Sequence, residues 1–173
     1  MFLNKIMNQL FLIKDEIKYP VGLKDREFAI IYPTDGYYLS KEQYLVLKKV
    51  LDEEKLIDDV INIDIEFLGD NVDTNLLNIR EMQGFNYLYY KERKLLFENS
   101  ILDSKFRWSV SIYQDYWGII YGSPKMIYKI SGIYDLQKDL KMFREELLAD
   151  IRNERTKADF EQFVKQSYNY KLS

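Results

Sequence analysis

The chain of 173 residues is slightly acidic, with 28 acidic against 25 basic side chains and a formal net charge of -3. It has no cysteine and no histidine, which excludes disulfides, thiolate nucleophiles, imidazole acid–base catalysis and the usual zinc sites. Hydrophobic residues make up 47% and aromatic residues 16%, so the composition predicts a well-packed core instead of a disordered chain. The length suits a single domain over residues 1–173.

The cellular location can be predicted from what the sequence lacks. No stretch is apolar for long enough to span a bilayer, and residues 1–14 do not contain the apolar core of a signal peptide. The missing cysteine fits a reducing compartment. We therefore expect a cytoplasmic protein that does not contact a membrane.

Three elements are predicted before the acidic middle of the chain. Apolar side chains recur at helical spacing over residues 2–14, which predicts an amino-terminal helix. Residues 27–32, EFAIIY, predict a short strand. Ser40 and Gln43 form a capping-box pair, so a helix is expected to begin there and to end within residues 52–56.

The middle of the chain predicts two strands around a short helix. Residues 61–67 alternate between apolar and polar side chains, which is typical of a strand with one buried face. Residues 74–82 predict a short helix that Gly84 would stop. Residues 85–91 are rich in tyrosine and predict a further strand.

The centre of the expected sheet is a meander of three antiparallel strands over residues 105–130. A two-residue turn at Gln114 and Asp115 would pair Val110 with Ile119 and give one entirely apolar face. The members of that face are predicted core residues: Trp108, Val110, Ile112, Trp117, Ile119 and Tyr121.

Two helices are predicted after the meander. Asp135 is a plausible N-cap for a helix over residues 136–151, whose apolar stripe should cover the apolar face of the meander. A last helix is expected to begin at Thr156 and to bury Phe160 and Phe163. The predicted fold class is therefore α+β, a single antiparallel sheet packed by helices from both ends of the chain.

The opposite face of the meander supplies the main functional hypothesis. It mixes aromatic, basic and small side chains, and tyrosine and arginine are enriched at protein interaction hot spots. A solvated sheet face is the alternative interpretation of the same pattern. Five residues are predicted to anchor a partner protein: Arg107, Tyr113, Tyr116, Ile120 and Lys129.

Acidic side chains in the middle of the chain extend this hypothesis. Proteins that neutralise a toxin or a nuclease often present acids to a basic partner. The leading hypothesis is therefore a non-enzymatic protein that binds another protein, of which inhibitor and immunity proteins are one class. The acids predicted to face the partner are Asp58, Asp59, Asp64 and Glu66.

The segment 83–90, QGFNYLYY, offers an alternative function. It resembles the RNP1 motif of RNA-recognition domains in Gly84, Phe85, Tyr87, Leu88 and Tyr90. That resemblance implies single-stranded nucleic-acid binding by stacking of bases on Phe85 and Tyr87. The same aromatic residues would equally serve as the core of a sheet, and the neighbouring acids Asp64 and Glu66 repel phosphate.

An enzymatic function rests on fewer features. A carboxylate pair such as Asp64 and Glu66 could provide the general acid and base of a hydrolase, so this remains a second alternative. No glycine-rich phosphate loop, metal-ligand spacing or activated nucleophile emerges from the sequence. We therefore expect neither a metal nor a cofactor.

Overall fold

The computed structural model describes residues 11–14, 17–20, 27–57, 60–64, 79–82, 86, 91, 99–103 and 105–172. The strands are β1 (Phe11–Lys14), β2 (Ile17–Pro20), β3 (Glu27–Ile31), β4 (Val60–Asp64), β5 (Ile79–Met82), β6 (Asn99–Asp103), β7 (Ser109–Tyr113) and β8 (Trp117–Gly122). The helices are α1 (Lys41–Glu53), α2 (Pro124–Ser131), α3 (Leu136–Met142), α4 (Glu154–Val164) and α5 (Tyr168–Lys171).

The main sheet is antiparallel and contains six strands in the order β3-β8-β7-β6-β4-β5. β1 and β2 pair with each other in a separate antiparallel sheet. An antiparallel sheet with helices packed against it is an α+β fold, so the predicted fold class is confirmed.

Helices cover both faces of the central strands. On one face, Val110, Ile112 and Ile120 share a buried cluster with apolar side chains of α1 and α2. On the other face, Trp117 and Ile119 share a second cluster with side chains of α3, its continuation and α4. Because successive side chains of a strand point to opposite faces, β7 and β8 contribute to both clusters.

The connection between β7 and β8 differs from the predicted turn. It has three residues, Gln114–Tyr116, and forms a short 3-10 turn instead of a two-residue hairpin loop. Asp115 and Tyr116 both have left-handed backbone angles, with φ of 67° and 62°. The longer connection makes Tyr113 pair with Trp117.

This connection shifts the whole hairpin by one residue. Val110 pairs with Ile120 and Ser111 pairs with Ile119, whereas the predicted register paired Val110 with Ile119. A one-residue shift moves side chains to the other face, so the predicted core set is divided between the two clusters. The serine in this buried ladder is satisfied, because Ser111 Oγ and Ser100 Oγ share a hydrogen bond of 2.6 Å.

The predicted third strand of the meander is wrong, because the chain forms helix α2 there. Ser123 caps this helix by accepting a hydrogen bond from Met126 N at 3.2 Å, and Pro124 occupies the first turn. Serine followed by proline is a strong helix start. The buried residues Met126, Ile127 and Ile130 follow at helical spacing.

Two further predicted helices are wrong within the described residues. Residues 11–14 form β1, which pairs with β2, and residues 79–82 form β5, which pairs with β4. In both places strand pairing overrides the local helical spacing of apolar residues. The rest of these two predicted helices, and most of the predicted strand at 85–91, lie outside the described residues.

Several local predictions are confirmed. Ser40 and Gln43 form the expected capping box, with hydrogen bonds of 2.9 and 3.2 Å between their side chains and backbone amides. Asp135 caps α3 by accepting a hydrogen bond from Lys138 N at 3.0 Å. α4 begins two residues earlier than predicted because Asn153 accepts hydrogen bonds from the amides of the first turn.

α3 continues into a π-helical turn, Phe143–Leu148. A π turn contains about one residue more than an α turn, so the buried stripe moves forward by one position. Leu148 is buried where the sequence predicts Leu147. Most of this stripe packs against Trp117 and Ile119, which belong to the face that it was predicted to cover. Val110 lies in the other cluster, and of the stripe only Leu136 reaches it.

β3 lies at one end of the strand order, and side chains close its outer edge. Asn169 on α5 accepts a hydrogen bond from Ile30 N at 2.8 Å and donates one to Ile30 O at 2.8 Å. The same amide also donates to Leu136 O at 2.6 Å. Asn169 thus occupies the bonding positions of a neighbouring strand and blocks pairing with another chain.

We expect Asn169→Ala to lower the free energy of unfolding by about 2–4 kcal/mol, because it leaves buried backbone groups of Ile30 without partners. Urea unfolding measures this change. Gln162→Ala removes an exposed amide from α4 and should change the stability by less than about 0.5 kcal/mol. Equal effects of the two substitutions would show that the edge contact contributes nothing specific.

Candidate functional site

The five predicted partner anchors do not form one surface. Ile120 is only 1% exposed and lies in the cluster with α1 and α2, and Tyr113 is only 4% exposed. Both were predicted on an open sheet face, and this is wrong because helices cover both faces of the hairpin. Tyr116, in the β7–β8 connection, is 60% exposed.

The two cationic anchors are engaged in ion pairs elsewhere. Arg107 donates two hydrogen bonds, of 2.7 and 3.0 Å, from its guanidinium to the buried carboxylate of Asp103. Lys129 lies on α2, where its ammonium is 2.5 Å from Glu54. The hydrogen bond to Glu54 raises the pKa of Lys129. Arg107 and Tyr116 flank opposite ends of β7, roughly 20 Å apart at strand spacing.

The remaining predicted site residues cannot be compared with the structure. Phe85, Tyr87, Asp58, Asp59 and Glu66 lie outside the described residues. Asp64 is described only by its position in β4, opposite Asn99. Nucleic-acid binding and a hydrolytic carboxylate pair therefore stay predictions.

A groove of about 250 Å³ lies at the tip of the β7–β8 hairpin. One wall is the connection Gln114–Tyr116 together with Tyr113, and the other is the turn at Gly36 and Tyr37. Gly36 has a φ of 63°, a left-handed angle that favours glycine. The ring of Tyr113 stacks on Trp117 with centroids 4.2 Å apart, which ties the tip to the core.

Hydrogen bonds hold the two walls of this hairpin-tip groove together. Thr34 N donates to Tyr116 O at 2.7 Å, and Thr34 Oγ1 donates to Gly36 O at 2.9 Å. The first bond fixes the backbone of Tyr116 in its left-handed conformation while the side chain stays exposed. Non-glycine residues held in such conformations are concentrated at functional sites.

A buried polar network fixes the backbone of the segment that precedes the groove. Asp139 accepts hydrogen bonds from Tyr32 N at 3.0 Å and from the hydroxyl of Tyr134 at 2.9 Å. Gln43 donates to Pro33 O at 3.0 Å. The segment that leads into the groove is thus held by α3 through Asp139 and by α1 through Gln43. Burial raises the pKa of Asp139 to about 6, although these two hydrogen bonds oppose the shift.

Acidic side chains lie near Tyr32, in the segment that leads to the groove. Tyr32 donates a hydrogen bond of 2.9 Å from its hydroxyl to Glu146 on the π turn. Burial, the hydrogen bond to Glu146 and the negative charges of Glu146, Asp150 and Asp115 together raise the pKa of Tyr32 to about 12. These three carboxylates therefore act on one hydroxyl. Within the described part of the chain, no group of three or more acids is arranged to hold a metal ion.

No protein-family model, no curated protein and no solved structure matches the chain. Among the described residues, no helix combines the length and the apolar character that a membrane crossing requires. The candidate site therefore rests on the geometry of the chain itself.

Sequence reasoning found one exposed residue of this site and missed its surroundings. Tyr116 was a predicted anchor, and the Asp35-Gly36 pair is a turn signal that could have located the second wall. Glu146 and Asp150 are spaced four residues apart on a helix, which places them on one face. Nothing in the sequence indicates that this face meets the hairpin tip.

The buried carboxylate of Asp139 predicts a pH dependence of stability. Its pKa is about 6 in the folded state, against an ordinary value of 3.8. The folded state therefore holds the proton more tightly, so this group lowers the free energy of unfolding as pH rises from about 4 to about 6. The loss is about 3 kcal/mol at most.

Urea unfolding of Asp139→Asn at pH 4, 5, 6 and 7 tests this expectation. The amide keeps an acceptor oxygen but does not ionise. The variant should therefore gain stability relative to wild type across this range and then level off. Asp52→Asn, at an exposed position on α1, should show no such gain. A constant difference between Asp139→Asn and wild type would mean that Asp139 titrates normally.

Proposed function

We propose that this chain is a non-enzymatic protein-binding module that contacts its partner through the hairpin-tip groove. The observation that carries the proposal is the exposed ring of Tyr116 on a backbone that Thr34 holds in place. A large aromatic side chain on a rigid backbone loses little entropy on binding, and such residues dominate interaction energies.

The charge beside the groove supports a particular kind of partner. Glu146 accepts the hydrogen bond of the Tyr32 hydroxyl, and the charges of Asp115 and Asp150 also act on it, so negative charge is concentrated near this hydroxyl. A partner with a cationic patch next to an apolar pocket would be complementary to it. Inhibitor and immunity proteins are one class that works in this way, and the lack of cysteine supports a cytoplasmic location.

Affinity capture with tagged wild-type protein and with Tyr116→Ala tests the proposal. We expect wild type to retain a partner protein. The affinity of this partner for Tyr116→Ala should be lower by on the order of tenfold or more, which is the scale of a lost aromatic anchor. Surface plasmon resonance with the purified partner measures the ratio.

Tyr128→Ala is the matched control. Tyr128 is 69% exposed and lies on α2, away from the residues that line the groove. Its removal should leave the affinity unchanged within about twofold. A partner that binds Tyr116→Ala as tightly as wild type would rule out the hairpin tip as the binding surface.

A further inference from the structure

A second and larger groove lies on the other side of the π turn. It has a volume of about 450 Å³ and runs between α3 with its π turn and α4. Leu140 and Leu148 contribute apolar surface to it, and both are nearly buried. The helical wall extends from Gln137 to Ala149, a length of about 18 Å at 1.5 Å per residue.

The π turn shapes the wall of this groove. It brings Leu148 into the lining five residues after Phe143 and places Arg144 and Glu145 at the rim. π turns interrupt helices rarely and often occur at functional sites. Here the irregular segment lines a groove of about 450 Å³.

The rim carries more positive than negative side chains. The cations are Lys141, Arg144 and Lys157, and the acids are Glu145 and Glu161. Lys141 approaches Glu145 to 3.9 Å, so that acid is already partly compensated. Among the described residues, neither Arg144 nor Lys157 has an ion-pair partner.

We propose that this groove binds an acidic peptide segment of a partner protein. Carboxylates of the peptide would face Arg144 and Lys157. An apolar side chain would contact the exposed Ala149 and the edges of Leu140 and Leu148 that reach the groove. The length of the wall matches about five extended residues. A small anion would leave the apolar surface uncovered, whereas a peptide can satisfy both parts of the lining.

This surface is independent of the hairpin-tip groove. The carboxylates of Asp115, Glu146 and Asp150 near the tip would repel an acidic peptide. The second groove instead carries Arg144 and Lys157, for which the described part of the chain offers no ion pair. The two surfaces therefore suit ligands of opposite charge. Loss of binding at one groove should leave binding at the other unaffected.

A phage-displayed library of random twelve-residue peptides, selected on the immobilised full chain, tests the proposal. We expect enriched peptides that combine several acids with a large apolar residue. A synthetic fluorescein-labelled peptide from this set is then titrated by fluorescence anisotropy. Arg144→Glu with Lys157→Glu should weaken its binding by on the order of tenfold or more, because two attractive contacts become repulsive.

The matched control carries the same charge change outside the groove. Arg152→Glu with Lys165→Glu alters two exposed cations that do not line it, and it should leave the affinity within about twofold of wild type. Equal binding to both double variants, or no enrichment of acidic peptides, would overturn the proposal. A wild-type chain that forms a dimer, together with a monomeric Arg144→Glu with Lys157→Glu variant, would also overturn the proposal. The groove would then bind a second copy of this chain instead of an acidic peptide.

Discussion

The three-residue connection Gln114–Tyr116 sets the register of the β7–β8 hairpin, and the arrangement of both layers depends on that register. Two successive left-handed residues, Asp115 and Tyr116, allow the chain to reverse with an odd number of linking residues. Val110 then faces α1 and α2, while Trp117 faces α3 and α4. With an even-numbered turn, these residues would share one face, and the layer of α3 and α4 would lose Trp117 and Ile119 as its partners in the hairpin.

Helices cover both faces of the β7–β8 hairpin, so a partner can reach this part of the molecule only at the ends of the strands and along the outer sides of the helices. The outer edge of β3 is closed by Asn169 and by Asp139, which take the hydrogen bonds of Ile30 and Tyr32. The hairpin tip and the groove along the π turn lie at this periphery. The same helical segment separates the two, with Glu146 directed toward the tip and Arg144 lining the groove.

Local chemistry was the most predictable part of the fold. The capping box at Ser40, the N-cap at Asp135 and the apolar spacing of the last helices depend on neighbouring residues, and each was found as predicted or nearly so. The strand predicted at residues 61–67 is present over Val60–Asp64 in the described residues. Such signals are set within one or two turns of the chain.

The errors in strand register and in the buried helical position arose where one residue of length decides the outcome. The predicted register gives one sheet face on which only apolar side chains pair, whereas the observed register brings Ser109 and Ser111 into this ladder. The sequence alone does not reveal the left-handed backbone of Tyr116 that sets the observed register. The serines at 109 and 111 favoured the wrong register, because the bond between Ser111 and Ser100 depends on a third strand. The π turn likewise moved the buried position from Leu147 to Leu148 without a sequence signal. The candidate site could not be predicted for the same reason. It forms where the β7–β8 connection meets distant segments of the chain, and those meetings depend on the register and on the π turn.

The register of β7 and β8 is therefore the most direct test of this account. Cross-strand backbone NOEs in a uniformly ¹³C- and ¹⁵N-labelled sample report which residues face each other. The account predicts contacts that pair Val110 with Ile120 and Tyr113 with Trp117. Contacts that pair Val110 with Ile119 and Tyr113 with Tyr116 would contradict it, because that register restores a single apolar sheet face.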